Sequence, residues 1–441
     1  MSSPRQSWAR RVATAMGVVT GALCIAAVSL TTLHAQAPLP DNVPQTPRPP
    51  APGTSPALDS ARAARGATLQ VVLYTYGPGP EVFEKFGHVA LAIEDTQTGE
   101  SIAYNWGMFD FNQPNFLARF LTGDTKYWMA GYRTGEFNAM YQSQDRTIRQ
   151  QRLNLTPMQR GALSDLVSWN AREENAYYRY DYYNDNCSTR VRDALDWALG
   201  GVVRQALDTV DGHFTWRNET ARITAENLPV YAGIQLALGR TADRHLTRWQ
   251  LAFLPERFAD DLARTAVGGA SLVAHDSVLY ATQSLPTLVH VPQRTMPALA
   301  LGMVLGVAVF ALARLAPALL SAFGVLWYGA GGVLGTALLL AGTVTKHIPY
   351  MGSNLNLTLV SPLLLVAALF WSWRTRDDAK GRSGRALSAV VAGIAVVGLV
   401  LEHLPALSQG SIMVFMTVVP VHVALAIVAN RRLRRAPSAT P

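Results

Sequence analysis

Residues 183–201 read YNDNCSTRVRDALDWALGG. Three helix-capping residue types, Asn184, Asp185 and Asn186, precede Cys187; Ser188 to Leu199 follow with helical composition, and Gly200-Gly201 ends the run. This spacing predicts a helix with Cys187 in its first turn. Backbone N–H groups and the helix dipole there favour a thiolate, and the same N–H groups can hold a tetrahedral oxyanion. The expectation is a nucleophile whose thiol pKa lies below the ordinary ~8.5. The residues alone leave a second reading open, a small buried hydrophobe at a strand-to-helix junction.

Working outward, Tyr177 to Tyr183 is aromatic and extended, able to line an apolar groove or to form the faces of an ordinary strand. Thr156-Pro157 opens a helix running to about Arg172, with Thr156 as N-cap and Pro157 at the first helical position. Thr147 to Leu155, Ser101 to Trp106, Val89 to Glu94 and Leu69 to Tyr76 read as strands, the middle two joined as a hairpin through Asp95 to Glu100. Gly77-Pro78-Gly79-Pro80 closes the first of them. The order describes an α+β domain with a small antiparallel sheet over residues 69–293.

His88 opens the strand GHVALAI behind Gly87, and a base on a sheet facing a cysteine at a helix N-terminus is what Cys/His acyl transfer requires. A structural histidine is the alternative. Asn105, on the strand expected to pair with that of His88, is the candidate that orients the imidazole, with Asp110 behind it. Arg190 and Asp193, one helical turn apart, are expected to pair. The remaining histidines show no metal-ligand spacing, so no zinc site and no cofactor are expected.

The flanks decide the compartment. Only 15% of residues are charged against 49% hydrophobic, far from the roughly 25% charged of a soluble globular protein. The net charge of +8 divides into +3 over residues 1–37, −4 over 38–290 and +9 from 291 onward, so the middle carries no basic footprint for nucleic acid. Arg10-Arg11, the apolar run Val12 to Leu30 and Ala35-Gln36-Ala37 make a signal peptide over 1–37. Residues 38–68 are a proline-rich linker expected to be mostly extended. In 294–435, five apolar segments lie near Met296 to Ala313, Leu319 to Val344, Leu357 to Trp373, Ala386 to Leu401 and Ile412 to Ala429. Basic clusters follow the first, third and fifth, at Arg314, at Arg374 to Arg385, and at Arg431 to Arg435. These ends are cytoplasmic by the positive-inside rule, which puts the 69–293 domain on the outer side of the membrane. Removal of the leader leaves Cys187 as the lone thiol in an oxidising compartment, where it requires either burial or a task.

Several stretches carry a resemblance: FGHVALAI (86–93), YNWGMFDFNQPNFLARFLTGDTKYWM (104–129), YNDNCSTRVRDALDWAL (183–199), GIQLALGRTADRHLTRWQLAFLPERF (233–258) and HIPYMGSNLNLTLVSPL (347–363). The sequence resembles the Lnb-type lipoprotein N-acyltransferases over most of the chain beyond the linker. That resemblance implies a permuted papain-like (NlpC/LRAT-like) periplasmic domain followed by an α-helical membrane domain of about five spans. It implies His88 as base, Cys187 as nucleophile and Asn105 as the third residue. It also implies an acyl chain moved from a phospholipid or lipoprotein donor, through a thioester, to the N-terminal amine of a lipoprotein acceptor. The loop carrying His347, Asn354 and Asn356 is expected at the outer membrane face near lipid headgroups, where a helix-capping or packing role is as open as a functional one.

Two other classes remain for the same residues. A periplasmic cysteine hydrolase, either a peptidoglycan amidase or peptidase or a lipid esterase, would use the dyad with water as acceptor. A non-catalytic membrane-anchored binding module would use the groove alone. Many spans favour the acyltransferase, since one anchor suffices for the other two.

Overall fold

The computed structural model describes residues 47–284 and 290–431. The leader expected at 1–37 and the start of the linker lie outside them, as do Arg432, Arg434 and Arg435.

Seven strands form one antiparallel sheet: Leu69–Tyr76 (β1), His88–Asp95 (β2), Ser101–Met108 (β3), Lys126–Arg133 (β4), Ile148–Leu153 (β5), Tyr177–Arg179 (β6) and Val273–Tyr280 (β7). Their order is β6-β4-β3-β2-β1-β5-β7. The two-residue period of the strands sorts the side chains. Val71, Leu73, Val89, Leu91 and Trp106 face one side, where they pack on helices Pro157–Asn170 (α4) and Cys187–Ala198 (α5) through Leu163, Leu166, Val191 and Leu195. Val72, Tyr74, Tyr76, Ala90 and Ala103 face the other, beneath Phe137 and Tyr141 of helix Thr134–Ser143 (α3). Each fully buried Leu or Val on the sheet contributes about 2 kcal/mol.

Helix α4 starts as the sequence dictates: Thr156 accepts from Gln159 N–H, the Gln159 side chain returns to Thr156 N–H, and Pro157 occupies the first turn. The tether reading fails over 56–66. Pro56–Gly66 is a helix (α1) capped by Ser55 and laid against α4. Its Arg62 is fully buried, donating to Asp165 at 2.9 Å and to Pro50 O at 2.9 Å. Contact with α4 holds a segment that has no hydrophobic period of its own. Glycines set the distance, since a Cβ on Gly161 would lie 2.2 Å from Arg62 O and one on Gly66 1.8 Å from Pro157 O. Gly161→Val is therefore expected to undock α1 at a cost of about 2–3 kcal/mol. Lower urea midpoints and faster proteolysis around residues 47–66 would report it, and an unchanged midpoint would show that the crossing contributes nothing.

Among the described residues, four helices toward the C-terminus are long and apolar enough to cross a membrane: Thr295–Leu315 (α9), Pro317–Val344 (α10), Ala379–Glu402 (α12) and Ile412–Asn430 (α13). The expected third span, 357–373, is not a continuous helix. A short 3-10 turn, Leu355–Thr358, precedes the nine-residue helix Leu363–Trp371 (α11). Pro362 turns the residue before it away from helical backbone, and the side chains of Asn354 and Asn356 are engaged elsewhere. The charge pattern is legible in space. Arg374 donates to Ser321 at the start of α10 (3.1 Å), Asn430 donates to Arg385 O (3.2 Å), and Arg431 lies over Phe310. At the opposite end, Lys346 N–H meets Thr122 O (2.8 Å) and Arg240 meets Ala406 O (2.6 Å). The α+β domain and the basic clusters thus sit at opposite ends of the bundle, as the positive-inside rule demands.

Candidate active site

Asn186 caps α5, its Oδ1 accepting from Ser188 and Thr189 N–H at 2.9 Å each, and Cys187 is the first helical residue. The β2–β3 ladder runs only from Leu91↔Tyr104 to Glu94↔Ser101, and the β3–β4 pairing slips between Asn105 and Met108. Into this opened end of the sheet comes the cysteine. The backbone N–H groups of Val89, Cys187 and Ser188 point at its sulfur. Gly107 closes the floor with φ +93, a left-handed conformation, and a Cβ there would lie 3.4 Å from Cys187 Cβ.

His88 and Asn105 share the opposite sheet face. His88 Nε2 and Asn105 Oδ1 are 3.1 Å apart, while Asn105 Nδ2 donates to Ala103 O at 2.9 Å. The second bond fixes the amide, so Oδ1 must accept and His88 Nε2 must carry the proton. Nδ1 is left with a free lone pair. The ring lies beside the stacked pair Tyr76 and Tyr141, at centroid distances of 6.2 and 6.1 Å. The structure thus brings Asn105 to His88 and brings Cys187 to Val89, the next residue along. No hydrogen bond links the sulfur to the imidazole among the described residues.

Electrostatics reverse one expectation. Cys187 is only 8% exposed, and burial pushes its thiol up to about 11, against the three backbone N–H groups and the charge of Arg146, all of which oppose the rise. Burial likewise pushes His88 down to about 4, aided by Arg146 and opposed by Asn105. The helix terminus does not win because desolvation of a thiolate costs more than partial charges return. At neutral pH the pair is a thiol and a neutral imidazole.

Two residues here had no sequence signal. Arg146, in the turn before β5, donates to Gly77 O (2.9 Å) and Glu84 (3.2 Å) and covers the Tyr141 ring, which places its charge near both Cys187 and His88. Tyr350, from the loop between α10 and α11, donates to Asp181 and accepts from Asn184 Nδ2 at 2.6 Å. Asp181 in turn accepts from Tyr183 and Asn184 N–H (3.1 and 2.9 Å), so a residue of the membrane half fastens the turn leading to Cys187. Tyr350→Phe is expected to loosen that turn by about 1.5 kcal/mol, read as roughly tenfold faster amide exchange over residues 181–186. Unchanged protection would remove Tyr350 from this role.

Other expectations are corrected. Arg190 pairs not with Asp193 but with Asp185, at 2.7 Å through Nη2, and covers the Tyr178 ring; Asp193 goes to Arg192. Asp110 caps Asn112 N–H and does not meet His88. In the outer loop, His347 Nε2 meets Phe120 O at 3.1 Å. Asn354 and Asn356 each donate twice to the last carbonyls of helix Leu228–Ala237 (α7), at Gln235, Leu236 and Ala237, and link through Gln409 and Ser411 to Glu402. They are helix caps that clamp the two halves together.

Residues 59–222, which include His88, Asn105 and Cys187, match the family described as the Lnb N-terminal periplasmic domain. This part of the chain is an Lnb domain. No curated protein and no solved structure matches the chain. The chain accordingly carries an Lnb-type periplasmic domain over residues 59–222, and among the described residues four long apolar helices lie beyond it.

Proposed function

We propose that the chain is a Cys/His-dependent acyltransferase of the bacterial inner membrane that transfers an acyl chain through Cys187 to the N-terminal amine of lipoproteins. The observation that carries this reading is the Asn105–His88 bond, which presents a proton-free Nδ1 one residue from the strand N–H that faces Cys187. In it, His88 Nδ1 takes the thiol proton as sulfur attacks the carbonyl of an ester donor. The oxyanion is held by the Val89, Cys187 and Ser188 N–H groups, and His88 returns the proton to the departing alkoxide. The incoming amine then attacks the thioester, gives a proton to His88, and the thiol is restored as that proton passes to sulfur. A permuted papain-like fold suits this arrangement, with a helix-borne cysteine beside the start of the strand that carries the histidine. Spans beside the site hold donor and acceptor in one plane and raise their effective concentration.

The test is expression in a strain lacking its own lipoprotein N-acyltransferase, with lipoprotein N-termini read by mass spectrometry. Wild type restores the N-acyl group and Cys187→Ala does not. Equal acylation by both ends the proposal, and Cys187-dependent muropeptide cleavage in its place would establish the hydrolase.

A further inference from the structure

The Lnb domain exposes a dense apolar surface that the acyl-transfer reading does not use. Val82 and Phe83 in the turn after β1, Phe111 after β3, and Leu117, Phe120 and Leu121 on the short helix Phe116–Thr122 (α2) are 42–65% exposed. Their rings touch one another: Phe83 contacts Phe109 and Phe111, and Phe116 contacts Phe111 and Phe120. Soluble surfaces rarely gather so many large apolar side chains in one place without a partner.

Position identifies the partner. The end of α2 is bonded to the residues with which α10 leaves the membrane. Lys346 N–H donates to Thr122 O at 2.8 Å, His347 Nε2 lies 3.1 Å from Phe120 O, and a Cβ on Gly123 would lie 2.9 Å from Lys346 Cβ. The exposed face of α2 is thus fixed at the depth where span α10 ends. We propose that this face is a membrane-docking surface whose occupant is the outer leaflet of the same bilayer, with Phe83, Phe111, Leu117, Phe120 and Leu121 inserted at the headgroup–acyl boundary. Aromatic and aliphatic side chains at that depth partition favourably, as in interfacial helices and aromatic belts. The surface continues inward, since Phe120 contacts Tyr182, Tyr182 contacts Tyr180, and Tyr180 lies on the Gly107 floor beside Cys187. Docking therefore submerges the outer end of an aromatic path to the cysteine. The inference rests on the spans and on the surface, and not on the chemistry at Cys187.

The experiment uses the full chain with Cys24 and Cys187 as serine, reconstituted in phosphatidylethanolamine–phosphatidylglycerol vesicles. A nitroxide is attached in turn to Leu117→Cys, Leu121→Cys and Gln97→Cys, the last in the exposed β2–β3 turn at the far end of the sheet. Collision rates with oxygen and with a water-soluble nickel chelate are compared. The oxygen-to-nickel ratio is expected to be severalfold higher at 117 and 121 than at 97. Equal ratios at all three sites would overturn the proposal. So would protection of 117 from both reagents with spin–spin broadening, which would mean that a second copy covers the face. Because none of these variants carries the thiol, failure here leaves the acyl-transfer reading to its own test.

Discussion

Asn105→Ala is expected to lower the acyl-transfer kcat/KM by roughly a hundredfold to a thousandfold, the range lost when a catalytic base is no longer held in its working tautomer. Asn105 is fully buried and has one task on each side of its amide: Nδ2 is committed to Ala103 O, and Oδ1 is thereby committed to His88. Without that acceptor, the proton on Nε2 loses its partner and the imidazole is free to place it on Nδ1, the atom that must receive the thiol proton. Proton count separates this from a packing defect. Nitrogen chemical shifts of His88 in the wild type should report an Nε2–H tautomer, and in Asn105→Ala a mixture. A variant that keeps the Nε2–H signature but still loses activity would assign Asn105 a purely structural role.

The same residue shows what was legible in the sequence. Asn105 could be placed beside His88 because both lie in a short-range hairpin: the turn at 95–100 fixes the register, and the register fixes which side chains share a face. Helix α5 and its cap were readable for a similar reason, capping being a matter of a few adjacent residue types. Strand β7 was not readable. It pairs with β5 across more than a hundred residues, and its own pattern is weakly apolar because much of it is exposed. Strand β4 and helix α3 lie between Lys126 and Ser143, where aromatic strand formers and polar residues alternate too closely for a period to show.

The outer loop shows a different limit. HIPYMGSNLN offers His347, Asn354 and Asn356 as polar residues in a membrane setting, the types that attract functional readings. Their bonds are architectural, to Phe120 O and to the carbonyl end of α7, while the residue that reaches the turn before Cys187 is Tyr350. A carbonyl left open at a helix end has no letter in the sequence, so which polar side chain will satisfy it emerges only with the tertiary contact. The broken third span follows from that contact too. Asn354 and Asn356 cap α7, and Pro362 delays the helix until Leu363.

Cys187 alkylation in the resting protein is expected to rise about tenfold per pH unit between pH 7 and 9.5 without a plateau, since burial holds the thiol at about 11. The sequence argument gave the opposite sign, a plateau below ~8.5. Both rest on real terms. Backbone N–H groups from Val89, Cys187 and Ser188 and the charge of Arg146 do favour the thiolate, but the sulfur is 8% exposed and the loss of hydration is the largest contribution. His88 cannot supply the missing charge, because its own burial keeps it neutral down to about pH 4. The resting site is therefore not an ion pair, and a nucleophile of this kind must surrender its proton as it attacks. Two consequences can be measured together. Arg146→Gln removes a cation near both groups, so it should raise the thiol pKa further and slow alkylation at any fixed pH, while easing protonation of His88. If alkylation of the wild type instead levels off below pH 8.5, the cysteine is an activated thiolate, and the conformation that reacts is more open than the one described.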